Sequence, residues 1–214
     1  MEIVNVLLFG SSGTLGAACK SLYEERGWLV VAGNRDIEAN YWEVCFDAVV
    51  WAQGTNLSKS FEETTDDDWL SILHSNLLFV VQTLKKLLQQ DQLAAGARLV
   101  VLGSVWEKVH RKNKSAYITS KSALAGLVRA LSSDLGNKGM SINCVSPGIV
   151  QSRMTSQHLS AEQIARIEQE TPNSKLVSPL EVAKVVGFLI SQDSSGISGQ
   201  TIFVDNGWSD SHNV

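Results

Sequence analysis

The feature that most constrains the fold is an apolar run that leads directly into a glycine-rich turn near the start of the chain. Residues 3–9 are almost continuously apolar, as expected of a strand buried on both faces of a parallel sheet. Residues 10–16 then read GSSGTLG, and a helical pattern follows as far as Arg26. Glycines let backbone N–H groups approach a pyrophosphate closely, and the positive end of the helix dipole favours negative charge. This order of elements predicts a phosphate-binding site, although a glycine turn without a ligand has the same local sequence.

The rest of the chain alternates apolar runs with helical patterns, which is typical of an α/β fold. A capping box at Thr65 and Asp68 begins a predicted helix over residues 66–90, and Ser178 begins another. A third long helix is predicted over residues 116–135. Further strands are predicted at residues 29–32, 48–52, 99–102, 142–145 and 201–204. Together these elements predict a Rossmann-type, doubly wound parallel sheet in a single domain over residues 1–214.

Composition excludes several classes of partner. The 214 residues are 44% hydrophobic and 19% charged, as in a globular chain with one sizeable core. The net charge of −4 argues against nucleic acid or an anionic membrane surface as a partner, and the short basic run at residues 110–114 (HRKNK) is interpreted as a solvated loop. The cysteines and histidines show no disulfide or metal spacing, and no leader or membrane-spanning run is visible. We therefore expect a cytoplasmic protein without a metal.

Several chemically useful residues directly follow predicted strands. They are the 10–16 turn, residues 52–54, Ser104 and the pair Pro147-Gly148. Ligands of doubly wound sheets bind beyond the carboxyl ends of the strands, so these residues are expected to line one edge together.

Tyr117 and Lys121 are four residues apart and therefore share one face of a helix. An ammonium near a phenol favours the phenolate, which suits tyrosine as a general acid or base. Ser104 ends a strand, where its hydroxyl can stabilise negative charge on a substrate oxygen. Taken singly, each residue also fits an ordinary packing or surface role. Asn76, on an apolar helix stripe, needs a hydrogen-bond partner that is either catalytic or purely structural.

The ordered set resembles the short-chain dehydrogenase/reductase family. The turn has that family's GxxxGxG spacing, and residues 52–54 (AQG) match part of its Asn-Ala-Gly motif. Asn76, Ser104, Tyr117 and Lys121 occur in the family's order, and Pro147-Gly148 matches its turn beside the nicotinamide. The resemblance implies an NAD(P)(H)-dependent oxidoreductase that acts on a small carbonyl or alcohol.

The resemblance also implies roles for individual residues. Ser104, Tyr117, Lys121 and Asn76 would be catalytic, with Lys121 holding the nicotinamide ribose and Asn76 supporting a water link to this lysine. Residues 149–177 would form a substrate lid, and the long helices would form a homodimer or homotetramer. The implied cofactor-binding residues are Gly10, Ser11, Ser12, Gly13, Thr14, Leu15, Gly16, Asn34, Arg35, Ala52, Gln53, Gly54, Tyr117, Lys121, Pro147, Gly148 and Ile149.

The end of the second predicted strand bears on the choice of cofactor. Gly33 occupies the position where NAD-dependent enzymes place a carboxylate for the ribose hydroxyl, and Arg35 is a candidate for the 2′-phosphate of NADP. Asp36 would instead favour NAD if the register were shifted, and Arg35 also fits a surface loop. The sequence favours NADP, with NAD as the alternative.

Two departures from the family pattern limit the functional prediction. Residues 33–47 are too few for the strand and two helices that normally lie there, so the adenine side is expected to be reduced. No charged residue is clearly placed to hold a substrate carboxylate or phosphate. A redox-sensing module without turnover and a sugar-nucleotide epimerase or dehydratase remain alternatives, although the glycine spacing disfavours the second.

Overall fold

Six parallel strands form one sheet in a computed structural model that describes residues 4–34, 45–152, 155–156 and 159–211. The strand order is β2-β1-β3-β4-β5-β6. The bounds are β1 Asn5–Phe9, β2 Leu29–Gly33, β3 Phe46–Trp51, β4 Leu93–Leu102, β5 Ser141–Pro147 and β6 Thr201–Val204. This confirms the predicted α/β fold with a Rossmann-type parallel sheet.

Helices connect the strands and cover both faces of the sheet. Their bounds are α1 Thr14–Glu25, α2 Asp66–Leu73, α3 Phe79–Gln89, α4 Ser115–Gly136, α5 Ala161–Glu170 and α6 Pro179–Leu189. The predicted capping boxes at Thr65 and Ser178 are both formed. The predicted 66–90 helix is interrupted by a π-helical turn at His74–Leu78, a feature that often marks a functional position.

The parallel register brings the carboxyl ends of the strands to one edge. Phe9 at the end of β1 pairs with Gly33 on one side and Trp51 on the other, while Pro147 of β5 pairs with Val204. The strand ends were predicted closely, but β4 begins at Leu93, six residues earlier than expected. It extends that far because Leu93 pairs with Phe46 beyond a shift in the register of β3 and β4.

Two apolar layers hold the helices against the sheet. One contains α3 and α4 side chains, including Leu84 and Val128, and the other contains α1 and α6 side chains, including Tyr23 and Val186. Every strand from β1 to β5 except β2 is nearly continuously buried, as the apolar runs predicted. The helices can therefore hold the loops at the carboxyl edge in fixed positions.

Among the residues that the structure describes, β2 is one of the two edge strands of the sheet, and its side chains are only partly buried. Residues 35–44, which follow β2, lie outside the described residues. They include Arg35, the residue predicted to bind the 2′-phosphate of NADP. In the described part of the chain, no helix is long and apolar enough to cross a membrane.

A buried hydrogen bond links strand β3 to helix α3. The indole Nε1 of Trp51 on β3 donates to the Thr83 hydroxyl on α3 at 2.8 Å, and the two side chains are 1% and 5% exposed. The hydroxyl in turn donates to the Phe79 carbonyl. The indole N–H therefore depends on Thr83 for its hydrogen bond.

Thr83→Val is expected to lower the free energy of unfolding by about 1–3 kcal/mol, because it leaves the buried indole N–H without an acceptor. Denaturant unfolding of the variant would measure this loss. In a Trp51→Phe background the same substitution should cost clearly less. Equal costs in the two backgrounds would show that the hydrogen bond contributes nothing.

Candidate active site

The glycine turn is shaped by close backbone contacts rather than by sequence propensity alone. Gly10 has a φ of +77°, and a Cβ placed on Gly16 would lie 2.0 Å from the Gly10 carbonyl oxygen. Gly13 caps α1 without a side-chain hydrogen bond, and the first turn of α1 contains no acidic residue. Backbone groups at this helix end are therefore open to an anionic ligand.

The end of β2 has no space for a carboxylate. A Cβ on Gly33 would lie 2.4 Å from the ring of Phe9, which is its neighbour in register. The packing of Phe9 between Trp51 and Phe79 holds its ring in this position. The ribose-binding acid of many dinucleotide enzymes is therefore absent at Gly33 for a steric reason.

A first cleft of about 510 Å³ opens between the glycine turn and the loop after β3. Its lining includes Gly33, Asn34, Ala52, Gln53, Gly54 and the first four residues of the turn, Gly10, Ser11, Ser12 and Gly13. Both polar atoms of the Gln53 amide are buried, and no described residue forms a hydrogen bond with either of them. Unpaired buried amides are rare in proteins and need a partner, so the lining fits a polar ligand such as a dinucleotide.

A second cleft of about 460 Å³ continues from the first and shares Gly13, Ala52 and Gly54 with it. Ser104 and Trp106 form part of its wall. Its lining also contains the predicted residues Thr14, Leu15, Pro147, Gly148 and Ile149. Gly16, Tyr117 and Lys121 do not line either cleft: Gly16 packs against Gly10, and Lys121 is buried behind the surface.

Lys121 connects the predicted catalytic residues. Its side chain is 4% exposed, and its ammonium donates to the Leu102 carbonyl at 2.7 Å. The same nitrogen lies 6.0 Å from the centre of the Tyr117 ring. Ser104 follows Leu102 by two residues, and its hydroxyl accepts a long hydrogen bond of 3.4 Å from the Trp106 N–H. One ammonium thus joins the end of β4 to the start of α4.

Asn76 lies in the π-helical turn and is 1% exposed. Its Oδ1 accepts from the Thr55 N–H at 2.8 Å, while its Nδ2 donates to the Thr55 carbonyl and the Ser120 hydroxyl. A Cβ on Gly54 would lie 3.1 Å from Asn76 Oδ1 and 3.4 Å from Lys121 Nζ. In this arrangement Asn76 holds the loop after β3 against α4. These bonds fit the purely structural role, one of the two alternatives that the sequence left open.

Glu107 is an acidic group beside the site that the sequence reasoning missed. A Cβ on Gly103 would lie 2.3 Å from the Ser146 hydroxyl and 2.9 Å from Glu107 Oε2, so only glycine lets these groups converge. Burial raises the pKa of the Glu107 carboxyl to about 7, against the lowering effects of a hydrogen bond from Ser146 and the charge of Lys121. No motif identified Glu107, because its partners come from β5 and α4.

Two cations also line the second cleft, so the interpretation of residues 110–114 as a solvated loop is wrong for these two positions, whereas the other three are exposed. Lys114 is only 7% exposed, and its ammonium donates to Asn56 Oδ1. Arg111 stacks on Trp106, with its guanidinium carbon 5.0 Å from the ring centre. Both side chains line the cleft. The loop joins the end of β4 to the start of α4 and therefore lies at the carboxyl edge of the sheet. This position in the order of elements could have indicated a place in the site, whereas composition alone could not.

In the described part of the chain, no group of three or more histidine, cysteine, aspartate or glutamate residues is placed to hold a metal ion.

Glu107→Gln is expected to flatten the pH dependence of stability between about pH 4.5 and 7. The folded-state pKa of about 7 exceeds the ordinary value of 4.5, so the folded chain retains a proton that the unfolded chain releases. The free energy of unfolding therefore falls as pH rises through this interval, and Gln removes that contribution. The neighbouring charged or titratable groups are Lys121, Arg129 and Cys144.

Urea unfolding at several pH values would measure this slope for the wild type, Glu107→Gln and the exposed control Glu62→Gln. We expect only Glu107→Gln to reduce it. Identical slopes in all three proteins would contradict the buried position of an ionisable Glu107.

Sequence comparisons agree with this geometry. A family model described as enoyl-(acyl carrier protein) reductase matches residues 35–209. The chain is 29% identical to the 3-oxoacyl-[acyl-carrier-protein] reductase FabG of Salmonella typhimurium over 172 residues, which are 80% of this chain and 69% of that protein. It is 28% identical to the protein FixR of Bradyrhizobium diazoefficiens, over 94% of this chain and 85% of that protein.

A solved structure is also similar over nearly its whole length. It is a short-chain dehydrogenase/reductase of the glucose/ribitol dehydrogenase type from Brucella melitensis, with a TM-score of 0.87 and 26% identity, and the match covers 97% of this chain and 99% of that one. The family match, the parallel sheet and the ordered residues at its carboxyl edge lead to one conclusion: the chain belongs to the short-chain dehydrogenase/reductase family of oxidoreductases.

Proposed function

We propose that the protein is an NADP-dependent oxidoreductase that transfers a hydride between a nicotinamide and a carbonyl or hydroxyl group of a small molecule. The observation that carries this proposal is the buried Lys121 ammonium, which lies beside the Tyr117 ring and is bonded to the end of β4 next to Ser104. Ser104 lines the second cleft, which shares one wall with the cleft of the glycine turn. A substrate and a dinucleotide would therefore meet near these residues.

The three side chains have complementary tasks in this reaction. The nicotinamide, when bound, supplies or accepts the hydride. In the direction of reduction, Tyr117 donates a proton to the carbonyl oxygen, and the Ser104 hydroxyl donates a hydrogen bond to the same oxygen. Lys121 places a positive charge beside the Tyr117 ring, where it stabilises the negative charge that develops as the proton is transferred. Oxidation of an alcohol follows the reverse path.

The residues of the first cleft would hold the dinucleotide. The N-terminus of α1 and the glycine turn suit its pyrophosphate, and the unpaired Gln53 amide offers a donor and an acceptor to a polar group. Gly33 excludes a ribose-binding acid, and Arg35 follows it by two residues in the sequence. The absence of an acid at Gly33 itself supports NADP over NAD.

Residues 149–177 would act as the substrate lid in this proposal. Several of its described residues, Ile149, Val150, Ser152, Thr155 and Leu159, line the second cleft. The exposed apolar side chains of Leu70, Leu78 and Val81 on the α2–α3 segment are suited to contacts in a homodimer or homotetramer.

Tyr117→Phe is expected to lower kcat by about 100-fold or more, because the variant keeps the ring but loses the transferable proton. The change in reduced-nicotinamide absorbance with a panel of small ketones and aldehydes would measure the rate, and cofactor affinity should remain within about threefold of the wild type. Full activity in the variant would remove Tyr117 from the proposed mechanism. Cofactor binding by the wild type without reduction of any compound in the panel would favour the sensing module.

Arg35→Ala is expected to weaken NADPH binding about tenfold or more, because it removes a charged partner of the 2′-phosphate, and to leave NADH binding unchanged. Tryptophan-fluorescence titration of both cofactors would measure the two affinities, with Arg166→Ala on α5 as an exposed control. Equal losses for the two cofactors, or no loss for either, would contradict the assigned role of Arg35.

A further inference from the structure

Lys114 is a buried cation in the second cleft, and no acidic residue in the described part of the chain pairs with it. Its side chain is 7% exposed, and the only hydrogen-bond acceptor that the described residues give it is the neutral amide oxygen of Asn56. An ammonium has three donors, so two remain for other acceptors. The exposed lysines Lys59, Lys108 and Lys175 contrast with it, since each pairs with a carboxylate.

The surroundings add positive charge to this position. Arg111 lines the same cleft, and no carboxylate in the described ranges forms an ion pair with either Arg111 or Lys114. Lys114 immediately precedes α4, and the first turn of this helix contains no acidic residue. The positive end of the helix dipole therefore remains uncompensated there.

The surroundings of Lys114 disfavour the positive charge on its ammonium. Burial, with a smaller effect from Arg111, lowers the pKa of the Lys114 ammonium to about 8. A buried charge is costly unless it is paired, and an anion in the cleft would provide the pairing that the described residues do not supply.

The short distance between Lys114 and Tyr117 limits the size of a substrate that carries this anionic group. Lys114 Nζ lies 5.4 Å from the centre of the Tyr117 ring, and Trp106 and Leu159 also line the cleft of about 460 Å³. An anionic group held by Lys114 would therefore lie only a few bonds from a carbonyl that receives a proton from Tyr117.

We infer that Lys114, supported by Arg111 and Asn56, is an anion-recognition site that selects short oxo or hydroxy acids as substrates, with the carboxylate held by Lys114. The inference rests on the proposed oxidoreductase function and names the substrate class of that same site. One carboxylate matches the single buried ammonium, and its planar pair of oxygens can accept from both free N–H donors.

Binding of unreactive anions tests this inference without turnover. Titration calorimetry would measure the binding of butyrate, of butyramide as its neutral analogue, and of inorganic phosphate, with NADPH present and absent. We expect saturable binding of butyrate, no binding of butyramide, and roughly 10- to 100-fold weaker butyrate binding in Lys114→Met, as for the loss of a charged hydrogen bond. Lys112→Met, two positions away and exposed, is the matched control and should bind butyrate as the wild type does.

Turnover provides the second readout. Among 2-oxo and 3-oxo acids of four to six carbons and their methyl esters, the acids should have the higher kcat/KM. Lys114→Met should remove this preference, mainly through KM, whereas Arg111→Gln should reduce it in part. Unfolding transitions of each variant would separate a loss of binding from a loss of fold, and Arg111→Gln keeps the test available if Lys114→Met does not fold.

The outcomes separate this inference from the proposed function. Reduction of neutral ketones with no preference for acids, and no binding of butyrate, would overturn the anion site and leave the oxidoreductase intact. Phosphate binding that excludes butyrate would overturn the assignment to carboxylates. Lys114-dependent butyrate binding without reduction of any carbonyl would support the anion site and count against the oxidoreductase.

Discussion

The candidate site depends above all on the hydrogen bond between the Lys121 ammonium and the Leu102 carbonyl. Lys121 is almost fully buried, and a buried ammonium must find oxygen acceptors. By taking one from the last residue of β4, it fixes α4 against the strand that leads to Ser104. Tyr117 is one helical turn before Lys121, so its position relative to Ser104 follows from this contact and from the register of the sheet.

Acidic and basic side chains lie on different sides of that contact. Glu107 approaches the site from the buried side, where Gly103 leaves room for its carboxylate near Ser146. Lys114 approaches from the side of the second cleft and has no acidic partner in the described ranges. The protein thus has an acidic group with a raised pKa on the buried side and two cations in the lining of the cleft where a substrate would lie. This asymmetry connects the proposed chemistry with the proposed preference for anionic substrates.

The sequence was sufficient for the fold and for most of the residues at the carboxyl edge. Alternating apolar runs and capping boxes are local signals, so β6 and the start of α6 were predicted at their observed positions. The ordered motif residues were informative because parallel strands end at one edge whatever the details of packing. The start of β4 was predicted too late, because its first residues pair with β3 across a register shift that has no sequence signature.

The residues that could not be predicted owe their roles to contacts between distant segments. Glu107 meets groups on β5 and α4, and Lys114 donates a hydrogen bond to Asn56, which is 58 residues away. The basic run around Lys114 looked solvated, since charged loops usually are, and only the fold shows that this loop returns across the cleft. The reduced segment after β2 was expected from chain length alone, and Gly33 at the strand end is explained by the Phe9 ring beside it.

The proposed function requires that this chain, despite its short segment after β2, holds a nicotinamide dinucleotide at the carboxyl edge of its sheet. Titration of the wild-type protein with NADPH and NADH, followed by quenching of tryptophan fluorescence, tests it most directly. We expect saturable binding of one dinucleotide per chain, with NADPH preferred. Failure of both cofactors to bind at millimolar concentration would contradict it and would show that the shortened adenine side no longer supports the oxidoreductase function.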